Sequence, residues 1–198
     1  MITQFKIFES ITNWNKILHD AAWTHKKKSK DAYLMDFDKI KLAVENGADV
    51  DSCGALSWAV RMNNYKVAKF MLENGANVNA QDDSCKWTPL MTASNDGFVK
   101  IAKLLIDYDA DPTIGNFQNV TVFDILANLE FDACFSYQRS SIEMRKNRDE
   151  IYKYLIHHGM DLVNLHDPEL AYKYIENHLT DEEKEKYGAY IDARKYNL

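Results

Sequence analysis

The side chains that could do chemistry are few, and their spacing is informative. Six histidines, His19, His25, His157, His158, His166 and His178, are scattered along the chain. None sits in the HExxH spacing that would put two imidazoles on one helix face for zinc. His157-His158 reads as a helix end, where partial positive charge complements the macrodipole. The cysteines Cys53, Cys85 and Cys134 form no CxxC pair, and two thiols do not make a structural zinc site. Gly-rich phosphate loops and the G-x-S-x-G elbow are absent, and no nucleophile–base pattern stands out. We therefore expect no catalytic residue, no metal and no cofactor, and a protein that is not an enzyme.

Composition narrows the alternatives. The chain has 198 residues, a formal net charge of -6 and 46% hydrophobic residues. That is enough apolar content for a core and argues against disorder. An acidic chain lacks the basic surface that displaces counterions from nucleic acid. Seven Gly and three Pro are few for an all-β protein with many tight turns, so a mostly helical fold is expected. No run approaches the 18 apolar residues of a membrane span, and the first ten residues have no basic leader with an apolar stretch. A reducing, cytoplasmic setting is expected, or delivery into a host cell by a specialised secretion system.

The positions that must be filled by elements come from internal repetition. Glu45-Asn46-Gly47-Ala48 recurs as Glu73-Asn74-Gly75-Ala76, 28 residues on. A third copy, Leu104-Leu105-Ile106-Asp107-Tyr108-Asp109-Ala110-Asp111, follows at an offset of 34. A fourth, weaker copy runs from Tyr154 through Gly159 to Leu162. Ahead of the third copy stands Trp87-Thr88-Pro89-Leu90-Met91-Thr92-Ala93. Thr88 can cap a helix and Pro89 can take its first position, where the missing N–H costs nothing. Leu90 and Ala93 then share a face, and the small Ala93 permits close helix approach. Beyond Gly97, Val99, Ile101, Ala102, Leu104, Leu105 and Ile106 supply a second apolar face.

This pattern resembles the ankyrin repeat family, whose T-P-L-H-x-A signature and period of about 33 residues it approaches. The resemblance implies a single all-α ankyrin-repeat solenoid of about five helix-turn-helix units, with short β-hairpin finger loops and helical caps. The units are placed at 13–53, 54–86, 87–118 and 119–164, with an N-terminal capping helix at 1–12 and capping helices at 165–198. In the second unit Gly54 replaces the capping Thr, while Leu56 and Ala59 keep the core positions. His19 takes the signature histidine position, whose usual role is a structural hydrogen bond to backbone. Extra residues are expected around Lys26 to Lys30 in the first unit and at 132–147 in the fourth. The finger between units one and two is shorter by six residues than the next: Gly47 to Gly54 spans 7, and Gly75 to Thr88 spans 13.

By the same resemblance the fingers and first-helix face form a concave binding surface, as solenoids generally do. The residues expected on it are Trp58, Arg61, Met62, Asp51, Asp82, Asp83, Trp87, Asn95, Asp96, Phe117, Tyr137 and Arg139. Trp87 is either an exposed anchor or local packing against the next unit. Asp49 and Asp111 are read as turn chemistry, whereas Asp51, Asp82 and Asp83 are read as freer acids that could steer a partner. The finger segments 47–53, 75–87, 109–117 and 159–167 hold eight acids and one base, which concentrates the negative charge there. The expected partner is another protein with a basic contact surface; nucleic acid and membrane are not expected, and the chain alone is expected to be a monomer. A bacterial effector or regulatory adaptor fits this reading. An immunity or anti-toxin type inhibitor of a basic protein is the alternative, and an enzyme with a site at the fourth-unit insertion is the more remote one.

Overall fold

A computed structural model describes residues 13–22, 35–126 and 142–158, together with Thr180, Asp181 and Glu185. Among the described residues, eight helices follow in order: α1 (Trp14–Ala22), α2 (Phe37–Glu45), α3 (Ala55–Arg61), α4 (Tyr65–Glu73), α5 (Pro89–Asn95), α6 (Val99–Asp107), α7 (Val122–Leu126) and α8 (Ile142–His157). They form four antiparallel pairs, α1/α2, α3/α4, α5/α6 and α7/α8. The first helices stack as one layer, α1 on α3, α3 on α5 and α5 on α7. The second helices stack as another, α4 on α6 and α6 on α8, and the Phe37 and Phe70 rings join α2 to α4 edge to face at 5.4 Å. The expected all-α solenoid is what these residues form.

The inner helices are short. At seven residues α3 and α5 are below the length at which a helix holds itself together in water, so packing must supply their stability. The packing residues recur in register: Leu18 and Ala21, Leu56 and Ala59, Leu90 and Ala93 are all buried. Unit four uses larger side chains at the corresponding places, Phe123 and Leu126, and the Phe123 ring meets Tyr152 of α8 edge to face at 6.2 Å.

Helix starts follow the expected chemistry. The Thr88 hydroxyl accepts the Met91 N–H at 3.2 Å, with Pro89 in the first turn. Thr121 and Asp124 make the same device with an acid: the Thr121 N–H and hydroxyl both donate to Asp124 Oδ2, at 2.7 and 2.8 Å. α3 starts at Gly54 with no side-chain cap. Helix stops also repeat. Gly47, Gly75 and Asp109 take φ of 88°, 86° and 61°, and the next residue's N–H donates back to Ala43, Met71 and Leu105. These are C-terminal caps of the left-handed kind, so the three aligned copies share a backbone geometry as well as letters.

One expectation changes, and others fall partly or wholly outside the described residues. Among the described residues there is no strand, so the fingers are turns rather than β-hairpins. The insertion at 132–147 is described only from residue 142, where it is helical: α8 has 16 residues against nine in α2, α4 and α6. The capping helix at 1–12 and the Lys26 to Lys30 insertion lie outside the described residues, as do 165–198 apart from the three residues above. No helix among the described residues is long and apolar enough to cross a membrane.

The glycine positions separate backbone strain from packing. A Cβ at Gly75 would meet nothing within 4 Å, whereas one at Gly97 would lie 3.2 Å from Asn147 Cβ of α8. Gly75→Ala should cost about 1–2 kcal/mol from its left-handed backbone alone. Gly97→Ala should cost clearly more in the same urea unfolding series. Equal losses would mean that α8 does not press on the unit-three turn.

Candidate functional site

The finger backbone is held by Asx side chains, one from α1 and two from the preceding finger. The Asp49 N–H donates to Asn15 Oδ1 at 2.8 Å, the Asn77 N–H to Asp51 Oδ1 at 2.9 Å, and the Asp111 N–H to Asn79 Oδ1 at 2.9 Å. Within each finger the first Asx side chain also accepts the N–H two residues on: Asp49 from Asp51, Asn77 from Asn79 and Asp111 from Thr113. Asx turns of this kind fix the loop without secondary structure.

This corrects the reading of the finger acids. Asp51 is exposed, but its carboxylate holds the next finger in place. Asp82 accepts the Ser84 N–H, the Ser84 hydroxyl and the Cys85 N–H, at 2.9, 2.8 and 2.8 Å. Burial pushes its carboxyl up, but those hydrogen bonds and the charge of Arg61 outweigh it and hold Asp82 below the usual range. Asp83 is fully exposed, with Lys86 Nζ at 3.6 Å. The carboxylates of Asp51 and Asp82 are thus committed to the finger backbone.

Trp87 is also corrected. It is 4% exposed and packs in the core, so it presents no surface to a partner. The finger doubles back through Lys86 at φ 59°, and the Asp82 N–H donates to the Trp87 carbonyl at 2.9 Å, which turns the indole inward. Phe117 is the opposite case, 66% exposed on the following finger. Its mount is rigid. Gln81 Nε2 donates to the carbonyls of Lys86 and Gly115, at 2.9 and 3.0 Å, and the Phe117 N–H donates to the Cys85 carbonyl at 3.4 Å. Lys86 Nζ stands 6.0 Å from the Phe117 ring centre.

The remaining expected residues gather at the C-terminal ends of the inner helices. Trp58, Arg61 and Met62, at the end of α3, are half-buried. The Arg61 guanidinium lies 5.5 Å from the Trp58 ring centre, within cation–π range. Asn95 and Asp96 end α5, and Asn95 Nδ2 donates to Asp96 Oδ1 at 2.9 Å. Burial raises the Asp96 carboxyl above its ordinary value, while the Asn95 bond and the charges of Arg61 and Arg148 oppose the shift. Tyr137 and Arg139 lie outside the described residues.

Arg148 belongs with this group and was missed as a site residue. Its Nη2 donates to the Asn95 carbonyl at 2.7 Å and lies 3.4 Å from Asn95 Oδ1. Its place just ahead of the part of α8 equivalent to α6 is legible only once the length of α8 is known. His19 is exposed, with Nδ1 3.5 Å from Asp20 Oδ1. Cys85 is buried and Cys53 half-buried, burial raises the Cys53 thiol, and Cys134 lies outside the described residues. No grouping of three metal-ligating side chains occurs among the described residues.

Comparison with known proteins agrees with this geometry. Residues 56–106 match the family model for ankyrin repeats (many copies). A BTB/POZ domain and ankyrin repeat-containing protein, BOP, of Lupinus luteus is 36% identical over 102 residues, 50% of this chain and 21% of that protein. The palmitoyltransferase AKR1 of Lachancea kluyveri is 28% identical over 101 residues, 47% of this chain and 14% of that protein. The glycerophosphocholine phosphodiesterase gde1 of Schizosaccharomyces pombe is 43% identical over 61 residues, 31% of this chain and 5% of that protein. The chain thus spans about a fifth or less of the length of these relatives.

The two perturbed acids predict opposite pH behaviour. Asp96→Asn keeps an acceptor for Asn95 and removes a carboxylate whose charged form burial disfavours, so it should raise the melting temperature at pH 7. The gain should fade as pH falls from the raised value of Asp96 towards its ordinary 3.8, because the native protein then takes up the proton first. Asp82→Ala should lower the melting temperature at pH 7. That loss should shrink as pH falls from the ordinary 3.8 through the lowered value of Asp82, where the wild type also loses its carboxylate. Melting curves of both variants across this range check the signs; equal and parallel shifts would contradict them.

Proposed function

From repeats of the ankyrin family in this chain, we propose a protein-binding module that recognises a partner with a basic contact surface. Ankyrin repeats are generally protein–protein interaction modules. The observation that carries the finer reading is the ordered acidic rim. Asp49, Asp51, Asp82 and Asp111 each accept backbone N–H bonds, and Asp83 stands beside them in full solvent. Carboxylates fixed in this way attract a basic surface with little ordering cost on binding, which favours both encounter rate and selectivity.

The apolar part of the contact comes from Phe117, exposed on a braced finger, and from the Trp58, Arg61 and Met62 group. Trp and Arg are the types most enriched among residues whose truncation costs binding, and buried aromatic rings supply most of the area-dependent gain. An adaptor role follows: the surface holds another protein.

Titration of the isotopically labelled chain with a short Lys/Gly peptide and with a Glu/Gly peptide tests the charge preference. The basic peptide should shift the amides of the acidic fingers and the Trp58 indole, and high salt should weaken it. Affinity capture from the native organism tests the aromatic part. A Trp58→Ala/Phe117→Ala double variant should recover about tenfold less partner than wild type. Preference for the acidic peptide, or equal recovery by the double variant, would sink this reading.

A further inference from the structure

The second helix of unit four does more than complete its own pair. α8 is seven residues longer than α6, and the added turns, 142–148, run past the turn that ends α5. Contact there is close. A side chain at Gly97 would crowd Asn147 Cβ at 3.2 Å and touch the Met144 Cα at an ordinary 3.8 Å. Arg148, at the end of these added turns, is 9% exposed and donates to the Asn95 carbonyl at 2.7 Å. A guanidinium on the last carbonyl of a helix satisfies an orphan acceptor and complements the negative end of the dipole. The chain continues through Asn95 Nδ2 to Asp96 Oδ1 at 2.9 Å. Asp96 feels the charges of Arg61 in unit two and Arg148 in unit four. One residue of unit four is thereby linked through Asn95 to the Asp96 carboxylate.

We propose that Arg148 is a positioning residue for the partner-binding surface: it ties the α8 extension to the Asn95–Gly97 turn and so fixes the end of α5 beside the Trp58–Arg61 pair. The inference rests on the binding reading above. Recognition at units two and three then depends on a helix of unit four. Lys103 and Glu150 make a useful contrast. They also join α6 to α8, at 2.7 Å, but in the open and away from Asn95. The charged groups acting on Asp96 are Arg61 from the end of α3 and Arg148 from α8, and Asn95 is its neutral partner.

The test compares Arg148→Met, which keeps most of the apolar stem, with Arg148→Lys, which keeps the charge but not the planar fork, and with Lys103→Met as the control. Carboxyl resonances of the full chain give the Asp96 titration midpoint, and the Lys/Gly peptide serves as the binding probe. In Arg148→Met the Asp96 midpoint should rise, the Trp58 indole resonance should move, and peptide affinity should fall several-fold. Lys103→Met should leave all three where they are. Should Arg148→Met fail to fold, Arg148→Lys still decides, since it must move the Asn95 side-chain amide and the Trp58 indole. An Asp96 midpoint and an indole signal that stay fixed in a folded Arg148 variant would overturn the proposal, as would equal shifts in Lys103→Met. A wild type that ignores the peptide would count against the basic partner alone, and the Asp96 comparison would still judge Arg148.

Discussion

None of these helix pairs can bury its apolar face alone, and the rest of the molecule depends on that. The inner helices are two turns long, too short to persist without neighbours. Leu56 and Ala59 are buried on a helix, α3, that packs against α1 and α5 as well as against its own partner α4. Stacking therefore precedes shape, and small side chains set how near each layer comes. The Asx ladder works on top of this: Asp51 and Asn79 supply acceptors for the next finger's backbone, and Asn15 of α1 for the first finger's, so register along the stack is set by hydrogen bonds as well as by packing.

The ladder also explains why so many acids stand in the fingers. An Asp or Asn there closes its own turn or the next one, and the charge follows from the structural task. Asn does the same work at Asn15, Asn77 and Asn79 without charge. Where Asp is used instead, the surface gains a fixed negative site at no further cost in order. Structural and electrostatic roles are two consequences of one side chain, and the distinction between turn acids and free acids survives only for Asp83.

Much of the fold was legible because its signals are local. Thr88-Pro89, the Gly47 and Gly75 stops and the Leu-x-x-Ala pairs depend on residues a few positions apart, and the structure uses each as its chemistry suggests. The site was less legible because it is made by contacts across units. Whether Trp87 faces in or out turns on the left-handed Lys86, and a Lys at positive φ leaves no mark in the sequence. That Asp51 serves Asn77 needs the spacing of two fingers, which differ in length. Arg148 meets Asn95 across 53 residues, through a helix whose length no periodicity announces.

The central claim is that this chain binds a protein through its fingers and inner-helix ends. Hydrogen exchange on the chain alone and in complex with a partner captured from its own organism tests it most directly. The account predicts added protection at the Asp51 to Met62, Asp82 to Asp83, Asn95 to Gly97 and Gly115 to Gln118 segments. Protection confined to the outer helices, around exposed Leu42 and Tyr65, would contradict it.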